Sequence, residues 1–92
     1  MNSQLISRNI TVNGRRTSMR LESASWEAID DICQFESVHI NDLCTAIDQR
    51  RKGSSRTSAV RAFIITYFRH VALETGSMSG GHVNAIIPEL TI

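Results

Sequence analysis

No apolar run in this chain is long enough to span a bilayer. The most apolar segment, AVRAFIITYF (residues 59–68), is short and broken by arginine, so it reads as a buried helix, and no membrane association is expected. Met1 to Ile10 lacks the continuous apolar stretch of a secretory signal. Cysteine is scarce: Cys33 and Cys44 lie in apolar helical patterns and lack the paired spacing of a zinc site. Reduced core thiols in a cytoplasmic protein are the expectation, with a disulfide as the alternative. His39, His70 and His82 are scattered, with no acid or nucleophile at triad spacing and no metal-ligand spacing. Asp30-Asp31 is more simply a solvated helix face than an acid/base pair. No glycine-rich phosphate loop occurs; Asn13-Gly14 is a turn and Gly80-Gly81 lies near the C-terminal end. The expectation is no enzyme, no metal and no cofactor.

What remains is one small domain of 92 residues with 41% apolar residues, enough to fold but with a modest core, so a core shared in a dimer is expected. The net charge of +1 carries no information about partners, but its distribution does. Arg8, Arg15, Arg16 and Arg20 sit together, and Glu22, Glu27, Asp30, Asp31 and Glu36 follow as a block.

The arginines belong to RNITVNGRRTSMRLE, which alternates polar and apolar on both sides of Asn-Gly, the strongest short hairpin signal. Strands over Ile6–Val12 and Arg15–Leu21 would pair Val12 with Arg15, Thr11 with Arg16, Ile10 with Thr17 and Asn9 with Ser18. Paired residues share a face. One face then carries Ile6, Ile10, Val12, Thr17, Met19 and Leu21, with Arg8 and Arg15 as exceptions; the other carries Asn9, Thr11, Arg16, Ser18 and Arg20. The alternative is that Ile6–Val12 is a mobile arm and only the second strand is fixed.

Three helices should follow. The first begins near Ser23, capped by Glu22 or Ser23, buries Trp26, Ile29, Ile32 and Cys33, and ends near Ser37. The second runs from His39 to about Arg51 with Ile40, Leu43, Cys44 and Ile47 inward. RRKGSSRTS is a basic turn, mostly solvated. The third runs from about Thr57 to Glu74, and Val60, Phe63, Ile64, Tyr67, Phe68 and Val71 cover so much of it that it should be sandwiched, near a dimer axis. Residues 1–5 are expected to be a flexible N-terminus, 6–75 the domain, and 76–92 a flexible tail.

Arg16, Ser18 and Arg20 alternate on one strand and project the same way. The major groove admits a two-stranded ribbon, arginine suits the O6 and N7 acceptors of guanine, and serine can donate or accept. The other reading is a sheet with arginines in water, and the pattern alone leaves the two even.

The order of the pieces adds a resemblance. RTSMRLE, a tryptophan-bearing helix, INDLCTAIDQRR and SSRTSAVRAFIITYFR together resemble the ribbon-helix-helix DNA-binding family (the MetJ/Arc type), in a bacterial subgroup with an added helix. The resemblance covers about Arg8 to Arg69. It implies a mainly α homodimer with a short N-terminal β-ribbon, here with an extra N-terminal strand and a third helix. It implies a transcription regulator, a repressor, bound to double-stranded DNA, with adjacent dimers able to occupy tandem sites. Carried over, Arg16, Ser18 and Arg20 contact bases. Met19 and Leu21 face a dimer core with Trp26, Phe63, Tyr67 and Phe68. Arg15 reaches a phosphate or snorkels at the turn. The phosphate clamp is either the start of the second helix, at His39, Ile40 and Asn41, or that of the third, at Ser55, Thr57 and Ser58. The rival reading is a protein-interaction module, as in antitoxins of this family, with residues 82–92 (HVNAIIPELTI) docking a partner protein; a disordered terminus is the plainer account of that segment.

Overall fold

The computed structural model describes residues 4–74. The element order is β1 (Leu5–Val12), β2 (Arg15–Glu22), α1 (Ser23–Glu36), α2 (Ile40–Arg50) and α3 (Arg56–Glu74). The expected tail, and residues 82–92 with it, lies outside the described residues. Leu5, expected in the N-terminal segment, instead opens β1 opposite Glu22.

β1 and β2 form an antiparallel hairpin in the expected register, with Val12 opposite Arg15, Ile10 opposite Thr17 and Asn9 opposite Ser18. Asn13 (φ 53°) and Gly14 (φ 78°) make the two-residue turn, both with the positive φ that matches strand twist. The mobile-arm alternative is thereby excluded. One face of the hairpin puts Ile10, Val12, Met19 and Leu21 into the core, each at most 4% exposed. Ile6, on the same face but nearer the strand end, is 44% exposed.

Glu22 is the N-cap of α1, but its side chain makes no cap hydrogen bond. It accepts instead from Ser25 Oγ (3.1 Å) and, bidentately, from Arg61 of α3 (3.0 Å to each oxygen). Arg61 is the main reason its carboxyl titrates below the usual range. α1 ends where Ser37 turns left-handed (φ 57°) and Val38 N–H reaches back to Cys33 O (3.1 Å), a Schellman closure. His39 caps α2, its Nδ1 accepting from Asn41 N–H.

Below the sheet, Trp26, Ile29 and Ile32 of α1, Leu43, Cys44 and Ile47 of α2, and Ala59, Val60, Phe63, Tyr67 and Val71 of α3 form one cluster with the hairpin's apolar face. α3 is sandwiched as its sequence predicts, but between elements of its own chain. Met19, Leu21, Trp26, Phe63 and Tyr67, assigned to a core shared across a two-fold, are all buried within the single chain, and Phe68 is half-buried. The added strand and the added helix supply the cover. Tyr67, without measurable exposure, donates its hydroxyl to Glu36 (2.8 Å). Burial, then the Glu36 carboxylate, raises its pKa. Cys44 is a free, buried thiol, its pKa pushed up to about 12 chiefly by burial, and Cys33 is free and half-buried. Among the described residues no helix is long and apolar enough to cross a membrane.

Trp26 ties the hairpin to the helices. Its ring is 1% exposed, and its Nε1–H donates to Ile6 O at 2.8 Å. Arg8, the exception on the apolar face, explains itself here: its guanidinium lies 4.6 Å over that ring and bonds both oxygens of Asp30 (3.0 and 3.1 Å). The Arg8 and Asp30 side chains are 41% and 51% exposed, so the ion pair contributes about 0.2–1 kcal/mol. The ring beneath adds a cation–π contact of about 0.5–1 kcal/mol.

The basic turn is less solvated than its composition suggests. Arg51 Nε (3.0 Å) and Arg56 Nε (2.9 Å) both bond Asp48 Oδ1, and Arg51 also holds Ser54 O. Burial pushes the Asp48 carboxyl up, but the hydrogen bonds from Arg56 and Arg51 outweigh it, and it titrates below its ordinary value.

The packing of Trp26 and the pairing of Asp48 can each be measured. Trp26→Ala should cost about 3–5 kcal/mol in urea unfolding. Trp26→Phe keeps a ring and should cost about 1 kcal/mol more than its volume loss, for the missing bond to Ile6; equal stability of Trp26→Phe and wild type would remove Trp26 as the tie. Asp48→Asn should lower stability at neutral pH by roughly 1–3 kcal/mol. Because the folded pKa lies below the unfolded one, the Asp48 contribution is complete above the unfolded value, about pH 4, and disappears as pH falls through the folded value. Unfolding midpoints of the two proteins should therefore converge in acid; a gap that stays constant from neutral pH into strong acid would contradict the pairing.

Candidate nucleic-acid interface

The hairpin's second face looks away from the helices. Arg16, Ser18 and Arg20 on β2 are all exposed there, as the alternation predicts, and Ser7 and Asn9 on β1 are exposed beside them. Thr11 is half-buried. Cross-strand neighbours are Ser7 with Arg20, Asn9 with Ser18, and Thr11 with Arg16. Ser18 Oγ donates to Asn9 Oδ1 in a long bond of 3.5 Å.

The two edges of the sheet differ. A two-residue turn makes its flanking pair, Val12 and Arg15, a hydrogen-bonded one, and backbone direction alternates from there. On β2 the amides and carbonyls of Arg16, Ser18, Arg20 and Glu22 therefore point away from β1, to an edge with no strand beside it among the described residues. On the β1 side, α2 instead holds the strand where it meets the turn. Asn41 Oδ1 accepts from Thr11 N–H (2.9 Å), Thr45 Oγ1 from Asn13 N–H (3.1 Å), and Gln49 Nε2 donates to Asn13 Oδ1 (3.4 Å). These contacts join residues thirty or more positions apart and leave no periodic trace in the sequence.

Charge is distributed just as unevenly. Arg8, Arg51, Arg56 and Arg61 are each held by a carboxylate. Arg15, Arg16 and Arg20 have no acidic partner among the described residues. At the turn end of the hairpin, a recess of about 520 Å³ is lined by Val12, Asn13, Arg15, Arg16, Thr17 and Arg56. The guanidiniums of Arg15 and Arg16, with the remaining nitrogens of Arg56, make it electropositive.

Both expected clamps are helix starts that already cap themselves. At α2, His39 Nδ1 takes the Asn41 N–H (3.1 Å) and the Asn41 side chain is engaged by Thr11, so this start is fixed beside the hairpin's outer strand. Because Nδ1 accepts, the neutral ring carries its proton on Nε2, leaving a donor on an exposed side chain. At α3, Ser55 Oγ accepts from Ser58 N–H (3.1 Å) and bonds Ser58 Oγ (2.9 Å), with Thr57 Oγ1 3.3 Å away. Arg56 brings that start near the turn. No group of three or more His, Cys, Asp or Glu among the described residues could hold a metal ion.

Comparison with known proteins gives a family and a fold. No curated protein matches the chain. Among solved structures it is similar to an uncharacterized protein from Bordetella pertussis Tohama I, at 22% identity and a TM-score of 0.64, over 77% of this chain and 61% of that one. At this identity the likeness concerns the fold, and the matched part is about three-fifths of the other protein's length. A family model for the ribbon-helix-helix domain matches residues 5–68, from the first residue of β1 through two-thirds of α3. The strand with its outward arginines, the two helices after it and the match across most of the sequence agree: the chain belongs to the ribbon-helix-helix domain family.

Proposed function

We propose that this protein is a sequence-specific DNA-binding transcription regulator of the repressor type, acting in the bacterial cytoplasm as a homodimer. The observation that carries the reading is the row on β2: Arg16 and Arg20, without acidic partners among the described residues, flank Ser18 on an exposed face of an open-edged strand. Proteins of this family generally bind DNA as dimers.

The open edge gives the dimer its geometry. Two copies of β2 pair antiparallel about a two-fold through Ser18, so that Arg16 meets the partner's Arg20. The amides of the even-numbered residues satisfy each other, and six outward side chains form the ribbon's reading surface. Arginine makes bidentate contacts to guanine in the major groove, and Ser18, its proton directed to Asn9, offers lone pairs to a base amino group. Phosphates are held on either side of the ribbon: by Ile40 N–H and His39 Nε2–H at the start of α2, and by Arg15 at the turn. The start of α2 is preferred over Ser55, Thr57 and Ser58 because Asn41 anchors it to the hairpin. Since each chain closes its own core, the dimer rests on the strand edge and on whatever surface the helices add, and a folded monomer is expected at low concentration.

Two measurements test this reading. Selection of bound sequences from random duplexes should yield a palindromic site. Arg16→Ala and Arg20→Ala should each cost about 1–3 kcal/mol there and relax base preference at separate positions. Unchanged affinity for both at matched salt would dismiss the strand as reader. In a Cys33→Ala background, Ser18→Cys should form an intermolecular disulfide under mild oxidation. Directly opposed hydrogen-bonded residues lie about 5.5 Å apart at Cα, within disulfide reach. A dimer that stays uncrosslinked would place the two-fold elsewhere, and a protein that stays monomeric at high concentration would overturn the homodimer.

A further inference from the structure

The outward row of β1, Ser7, Asn9 and Thr11, has no counterpart in a ribbon of two strands, and its chemistry differs from its neighbour's. Each residue stands opposite one reader on β2, yet the row carries no charge: three short neutral side chains beside two arginines and a serine. Ser7 and Asn9 are exposed. We infer that this row is a rail for the DNA backbone, a line of neutral hydrogen-bond donors that seats the sugar-phosphate wall of the groove and does not read bases. The inference rests on the dimeric DNA-binding reading above.

Width makes the argument. Strands in a sheet lie about 4.8 Å apart, so a two-fold-paired hairpin puts β2 about 2.4 Å and β1 about 7.2 Å from the axis. The major groove is about 12 Å wide, which leaves roughly 6 Å on each side of its midline. β2 therefore fits over the base edges and β1 falls on the wall. A long charged side chain on β1 would have to fold back to avoid the backbone. Serine, threonine and asparagine instead let the main chain approach closely and donate to phosphate oxygens.

Two contacts in the chain aim the row. Ser18 occupies Asn9 Oδ1, which turns the Asn9 amide nitrogen to the outside as a donor. Asn41 holds Thr11 through its backbone and so sets the start of α2 level with the end of the row. The rail and the helix start then form one line of donors along the same wall.

The test is binding of the full-length dimer to its selected site, measured against salt for Asn9→Ala, Ser7→Ala and the double variant. Both residues are exposed, so thermal melting should be unchanged. Each single variant should lose about three- to tenfold in affinity, the usual size of one neutral hydrogen bond. The slope of log affinity against log salt should stay that of wild type, because neutral donors release no counterions. The sequence selected by Ser7→Ala should also be unchanged, because Ser7 orients no reader. A shifted base preference in Ser7→Ala would make the row a reader and overturn the proposal. So would wild-type affinity in the double variant. If Arg16→Ala and Arg20→Ala also bind as wild type, it is the DNA-binding reading that fails, independently of the rail.

Discussion

The parity of the hairpin governs this molecule. Asn13 and Gly14 form a two-residue turn with positive φ at both positions, and that turn fixes which residues of β2 stand opposite which of β1. A slip of one residue would send Met19 and Leu21 into water and Arg16, Ser18 and Arg20 under the sheet. The same parity decides backbone direction, so that the strand's outward row and its free amides belong to the same residues. Nothing lies within 4 Å of a Cβ built on Gly14, so its glycine is required by the backbone angle and not by crowding.

An unpaired strand edge invites association, and proteins usually blunt it. Here the blunting is one-sided. α2 commits Asn41, Thr45 and Gln49 to the β1 side, side chains that could otherwise have faced solvent or DNA. β2 has no such cover among the described residues, and its arginines discourage promiscuous pairing by charge while leaving the backbone groups free. The largest core side chains are covered within one chain, Leu21, Trp26, Phe63 and Tyr67 each at most 1% exposed, while Phe35 of α1 and Ile65 and Leu73 of α3 stay exposed.

Much of this was legible in the sequence, for a physical reason. Strand alternation and helix stripes are local periodicities, so the register, the three helices, the His39 cap and the outward row of β2 could be read within a residue or two. The residues that hold these elements to one another could not. Glu22 with Arg61, Asp48 with Arg56, Asn41 with Thr11 and Trp26 with Ile6 are single contacts across eight to thirty-nine positions, and composition presents them only as loose charges and polar residues. Arg8 looked like a flaw in the apolar face until Trp26 and Asp30 were placed beneath it. The expectation of aromatic rings at a dimer axis drew on the broad apolar surface of the third helix and on the small size of the chain. The extra strand and helix were visible in the sequence; that they close the core locally is a three-dimensional fact.

The pairing of charges separates scaffold from surface. The chain is close to electrically balanced, and all its acids follow Arg20. Three of them are committed elsewhere: Glu22 to α3, Asp30 to Arg8, Asp48 to the turn before α3. Each of those pairs ties one part of the scaffold to another, and none of the three carboxylates is bonded to Arg15, Arg16 or Arg20. A protein needing only solubility has no use for such segregation, because an exposed ion pair on β2 would have served equally well and stabilised the strand slightly. Keeping these guanidiniums clear of carboxylates raises self-repulsion along one strand. In the proposed dimer Arg16 would lie beside the partner's Arg20, and a polyanion laid across the ribbon would relieve the repulsion between them.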